Sequence, residues 1–82
     1  MSDGSRCDCL TATHAIEFDF ASKWAESIGQ ALLYGEQTGR RPGVVLILED
    51  EKDIHYVQRL LRVQRAYGLP LDVWIIGPEV SK

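Results

Sequence analysis

The segment His14–Phe20 constrains the fold more than any other part of the chain, because its side chains alternate strictly between two kinds. One side of an extended backbone would carry isoleucine and two phenylalanines, and the other would carry Glu17 and Asp19. A rise of about 3.3 Å per residue places these two carboxylates about 6–7 Å apart. Acids are disfavoured in strands, so their presence in this one indicates a specific role.

The hydrophobic periodicity around this strand predicts an α/β fold. Besides His14–Phe20, it predicts strands at residues 5–10, 44–48 and 71–76, and helices from 21 to about 38 and from Asp50 or Asp53 to about 67. Gly39 and Gly68 provide helix stops, with Pro42 and Pro70 shortly beyond them. Helical crossovers make their flanking strands parallel, whereas the short link before His14 makes the first pair antiparallel. The expected architecture is a mixed, mainly parallel sheet of about four strands in the order β-β-α-β-α-β.

Both helices carry recognisable stripes. In the first helix the expected apolar stripe is Ala21, Trp24, Ala25, Ile28, Leu32 and Gly35. A polar stripe about 130° away, expected at the margin of the helix–sheet contact near the carboxylates, comprises Lys23, Ser27, Gln30 and Tyr34. In the second helix the expected buried residues are Ile54, Val57, Leu60, Leu61 and Val63.

Length and charge restrict the class of protein. The 82 residues fit a single domain spanning 1–82, and 9 basic against 12 acidic residues give a net charge of −3, which excludes a highly basic nucleic-acid coat. The first nine residues lack an apolar segment typical of a secretory signal, and no run is long enough for a membrane helix, so we expect a cytoplasmic protein. A domain this small is marginally stable alone, which favours a homo-oligomer, with a dimer as the simplest case.

Three acids are candidates for a metal site. In adjacent antiparallel strands Asp8 can lie opposite or close to Glu17, and two neighbouring carboxylates repel each other unless a cation lies between them. Such hard oxygen ligands suit Mg²⁺ or Mn²⁺, with Asp19 as a third ligand. Lys23 could polarise a water or stabilise charge on a phosphate.

The ordered set of motifs resembles the PD-(D/E)XK nuclease superfamily over about residues 3–76. The matching features are Asp8, the run His14–Phe20 with Glu17, and the Gln-x-x-x-Tyr pair Gln30 and Tyr34. The sequence departs from the family at Asp19, where the motif has lysine, and Lys23 stands where some members recruit that lysine from the helix. The family's first helix and strand are missing, and the Asp3-Gly4 turn marks the place where that strand should end.

The resemblance implies a shortened restriction-endonuclease-like domain that hydrolyses DNA phosphodiester bonds as a metal-dependent endonuclease or exonuclease. Asp8, Glu17 and Lys23 would be catalytic, Asp8, Glu17 and Asp19 would hold the metal, and Gln30 and Tyr34 would bind substrate or support the site. The alternative function is a catalytically inactive module that binds nucleic acid or assembles into a homo-oligomer. A purely structural interaction protein without a ligand is a third hypothesis.

Plainer interpretations stand beside these. The acids could be a solvated face of an edge hairpin, Asp19 could be a helix N-cap, and Lys23 could be an ordinary surface charge. Cys7 and Cys9, with His14 or His55, form only a weak zinc pattern, and a Cys-x-Cys disulfide would stabilise little. We expect His14 to be a structural or surface residue, with assistance to the site as the alternative, and the two tryptophans to be core or interface residues. Basic residues could contact phosphates or be a solvated surface: Arg40, Arg41, His55, Arg59, Arg62 and Arg65.

Overall fold

The computed structural model describes residues 9–77 and confirms the predicted α/β class and element order. The strands are β1 (Cys9–Leu10), β2 (His14–Phe20), β3 (Arg41–Ile47) and β4 (Asp72–Ile76). The helices are α1 (Trp24–Thr38) and α2 (Ile54–Tyr67), each preceded by a single 3₁₀ turn, at Ala21–Lys23 and Glu51–Asp53. No helix within 9–77 has both the length and the apolar character required to cross a bilayer.

The four strands form one sheet in the order β1-β2-β3-β4. β1 runs antiparallel to β2, whereas β2, β3 and β4 are mutually parallel, as the helical crossovers require. Both helices lie on the same side of the sheet, because α1 residues such as Ile28 and α2 residues such as Leu60 share one buried cluster with alternate β3 residues, among them Val44 and Leu46. The described chain is therefore a two-layer structure with one sheet face left bare.

The strand register determines which side chains share a face. Glu17 pairs with Val44 and Asp19 with Leu46, so both acids project towards the helices. The intervening residues Phe18 and Phe20 project from the other side. We call that other side the open face, formed by Ile16, Phe18, Phe20, Val45, Ile47, Trp74 and Ile76. The apolar side of β2 thus lies away from the helices, and its acidic side lies against them.

The helix ends follow the expected signals. Gly39 and Gly68 end α1 and α2 in the left-handed region, with φ of 71° and 62°, where a side chain would be strained. Asp50 caps the turn before α2 by accepting a hydrogen bond from the Lys52 amide at 2.8 Å. Asp53, the alternative cap, instead accepts from the Glu49 amide at 3.0 Å.

Three predicted details are wrong. The strand predicted at 44–48 spans Arg41–Ile47 and so includes Pro42. Ile54 was expected on the buried side of α2, yet it is 44% exposed. On α1 the buried side is rotated by roughly 70° from the predicted stripe, at 100° per residue. Ala25 is exposed, whereas Ser27 and Tyr34, expected in the polar stripe, are buried.

The shared core of the two helices should dominate stability. Leu60 is fully buried between α2 and the sheet, so Leu60→Ala should lower the free energy of unfolding by about 2–5 kcal/mol through lost burial and the resulting cavity. Leu33→Ala is the matched control, because Leu33 is 47% exposed on α1 and its truncation should cost less than about 1 kcal/mol. Urea unfolding at one protein concentration measures both, and equal losses would contradict this assignment of the core.

Candidate functional site

Glu17 is the central residue of the candidate site. It lies in the middle of β2 with only 9% of its surface exposed, and Glu17 and Ser27 are the two buried polar residues among those the structure describes. Its position follows from the alternation of β2, which places it on the same side as Ala15 and under the helical layer. A carboxylate in such a place is costly unless it is paired, which makes it a candidate for function.

Helix α1 brings polar groups to the same layer. Tyr34 is 3% exposed, and its hydroxyl donates to Gln30 Oε1 at 2.8 Å, one helical turn away. Ser27 is also buried, and its hydroxyl donates to the Lys23 carbonyl at 3.0 Å. Gln30 and Tyr34 therefore contact each other, with tyrosine in the interface and glutamine on the solvent side.

Asp19 and Lys23 lie at the carboxyl end of β2. Asp19 is partly buried, and its Oδ1 accepts a hydrogen bond from the Phe20 amide at 2.9 Å. The 3₁₀ turn that follows has Phe20 at its N-cap position and no side-chain cap, so the N-cap role considered for Asp19 is not observed. Lys23 is exposed at the last position of that turn.

The metal hypothesis can be compared with these positions. Glu17 and Asp19 supply carboxylate oxygens on one side of one strand, and this donor chemistry fits a hard divalent cation. The third proposed ligand, Asp8, lies outside the described residues, as do Cys7 and the Asp3-Gly4 turn. Within 9–77, no group of three histidine, cysteine, aspartate or glutamate side chains is arranged to hold a metal ion. A complete site would therefore need Asp8 or water ligands.

The basic residues divide into two kinds. Arg40 donates to the Thr11 carbonyl at 2.6 Å, and Arg41 is held by Asp72, so this pair serves internal contacts. The basic residues of α2 are exposed to solvent along its outer side: His55, Arg59, Arg62 and Arg65.

A second polar cluster was missed by the sequence analysis. His14, Arg41 and Asp72 are the first residues of β2, β3 and β4. Asp72 Oδ2 lies 2.6 Å from His14 Nε2 and 2.6 Å from Arg41 Nε, and Thr13 Oγ1 lies 2.8 Å from His14 Nδ1. These three residues come together because the starts of the three parallel strands are aligned. That alignment is set by the strand register, which the sequence alone does not reveal.

The charges of this cluster stabilise each other. The hydrogen bond from Arg41, followed by that from His14, holds the pKa of Asp72 below its usual value of 3.8. The same hydrogen bond raises the pKa of Arg41. His14 also packs edge-on against the Trp74 ring, with centroids 5.5 Å apart. His14 therefore makes contacts within the fold through both ring nitrogens and one ring edge.

No family model, curated protein or solved structure matches this chain. Membership of the PD-(D/E)XK superfamily therefore stays a prediction from the sequence motifs.

The Asp72 cluster gives stability a pH dependence. Because folding lowers the pKa of Asp72, its contribution is present above the usual value of 3.8 and is lost as the pH falls through the lower folded value. Asp72→Asn should therefore lower the melting temperature near neutral pH, and the difference from wild type should shrink as the pH falls below 3.8. Glu36→Gln, at an exposed carboxylate of α1, is the control. A pH-independent difference for Asp72→Asn would contradict this account.

Proposed function

We propose that the chain is a metal-dependent nuclease-like domain that hydrolyses DNA phosphodiester bonds. The observation that carries this proposal is the burial of Glu17, 9% exposed, under α1 on a strand whose other side is apolar. An apolar residue at position 17 would avoid the desolvation cost of a buried carboxylate. The presence of glutamate at this position therefore suggests a functional requirement.

The finer architecture proposed is a restriction-endonuclease-like core. Its support is the order of the described elements: an antiparallel strand pair, a helix, a parallel strand, and a second helix and strand. The acid lies on the strand that leads directly into the helix bearing Gln30 and Tyr34. This is the arrangement that the motifs imply.

A second ligand beside Glu17 is proposed from the sequence, because Asp8 belongs to the segment predicted to run antiparallel to β2 and can lie opposite or close to Glu17. Directly opposed residues share a face and have Cβ atoms about 4.5–5.5 Å apart, a separation that a cation between two carboxylates can span. We propose Asp8 and Glu17 as the principal ligands of Mg²⁺ or Mn²⁺, with Asp19 as a third.

The roles of the other residues follow from their positions. A bound Mg²⁺ or Mn²⁺ would supply an activated water and charge stabilisation at the phosphate. Lys23, exposed beyond the end of β2, takes the role of the missing motif lysine and offers its ammonium group to a phosphate oxygen. Because Tyr34 donates to Gln30 Oε1, the amide nitrogen of Gln30 is directed to act as a donor to the substrate backbone.

The alternative proposal is a catalytically inactive module for nucleic-acid binding or homo-oligomeric assembly. Asp19 in place of the motif lysine favours this alternative, since it supplies no positive charge. The exposed arginines Arg59, Arg62 and Arg65 on α2 favour contact with phosphates, because residues 54–67 contain no acid. DNA binding without cleavage would be its signature.

Cleavage of supercoiled plasmid in Mg²⁺ or Mn²⁺ tests the nuclease proposal. Wild type should nick the plasmid, and Glu17→Gln should reduce the rate by at least about 100-fold, because the amide removes a negative ligand of similar size. Glu36→Gln is the matched control, with the same change on the exposed side of α1 and no expected effect. Lys23→Ala should reduce cleavage, whereas Lys52→Ala should not.

Two results would reject the nuclease proposal. One is the absence of cleavage by folded wild type with either metal, in which case DNA binding measured by fluorescence anisotropy would select the alternative. The other is equal cleavage by wild type and Glu17→Gln.

A further inference from the structure

The open face is an exposed apolar surface outside the core. Its exposed side chains come from β2 and β4: Phe18 is 39% exposed, Phe20 44%, Trp74 43% and Ile76 50%. Val45 lies between Phe18 and Trp74 in the register and is only 6% exposed. The indole of Trp74 also lies directly over Gly43, where a Cβ would come within 2.8 Å of the ring. The result is a continuous apolar surface across three parallel strands.

We propose that the open face is the contact surface between two copies of this chain. Parallel strands are found almost exclusively in sheets that are covered on both sides, because such strands carry apolar residues on both faces. Here the helices cover one side only, and β2, β3 and β4 have apolar side chains on the other. The proposal concerns assembly and is independent of the nuclease activity proposed above.

The distribution of charge favours a second copy over nucleic acid. Among the described residues, the charged groups on this side of the sheet are His14, Arg41 and Asp72, and they pair with one another within one chain. Two copies can therefore meet without burying an unpaired charge. A single-stranded nucleic acid would need free cations beside the aromatic rings, but Arg41 is engaged by Asp72 and the exposed arginines of α2 lie on the helical side.

The size of the face suits a weak, specific dimer. Three strands about 4.8 Å apart and five to seven residues at about 3.3 Å each give a face of roughly 300 Å² in projection. Covering it on both copies removes at least roughly 600 Å² from water, which is the size of a weak, transient interface. A two-fold axis parallel to the strands would place the apolar side chains of one copy on those of the other, as in aligned sheet packing. The Asp72 clusters of both copies would then lie at the same end of the interface. We therefore expect dissociation in the micromolar range.

Sedimentation velocity of the full chain from about 1 to 300 µM tests the proposal, a range chosen to bracket that weak affinity. Wild type should shift from monomer to dimer, and Phe18→Lys should weaken dimerisation by at least about 100-fold, because it buries a charge in the contact. Leu33→Lys is the matched control, since Leu33 is similarly exposed at 47% but lies on α1. It should dimerise like wild type.

A wild type that stays monomeric at all of these protein concentrations would overturn the proposal. The same holds if that monomer binds an oligothymidylate on the open face. Unchanged dimerisation by folded Phe18→Lys would also overturn it. If that variant is unfolded by circular dichroism, Trp24→Phe leaves Trp74 as the sole tryptophan. Acrylamide quenching of Trp74 fluorescence should then decrease as protein concentration rises, and constant quenching would overturn the proposal.

Discussion

The structure depends on the strict alternation of β2 within a parallel register. Because β2, β3 and β4 pair in register, Glu17 must share a face with Val44 and Val73, and Phe18 must share the other face with Val45 and Trp74. A slip of one residue would move the phenylalanines under the helices and Glu17 into solvent. The fold instead keeps the acid against α1 and leaves the aromatic side bare. Both the proposed site and the proposed dimer surface follow from this one choice.

This choice has an energetic cost. A buried carboxylate must recover its desolvation cost through hydrogen bonds or opposite charges, and exposed aromatic side chains lose the stabilisation that burial would give. Natural sequences that oppose local preference in this way generally do so at functional positions. The two sides of β2 are consistent with two roles: polar chemistry beside α1 and association through the open face.

Much of the fold was predictable from the sequence, because its signals are local. Each of these signals lies within a few residues of sequence: the alternation of β2, the apolar run in β3, and the helix-ending glycines Gly39 and Gly68. The rotation of α1 was not predictable, since small residues such as Ser27 allow close packing that hydrophobicity alone does not indicate. The contact of Asp72 with His14, 58 positions away, depends on strand register and had no signal in the sequence.

The central claim is that the buried carboxylate of Glu17 binds a divalent cation. Anomalous diffraction from crystals of the full chain soaked in Mn²⁺ tests it most directly. The account predicts a manganese peak within about 2.0–2.6 Å of a Glu17 carboxylate oxygen, with Asp8 as a second ligand. A soaked crystal with manganese bound elsewhere and none at Glu17, or with no manganese at all, would contradict it.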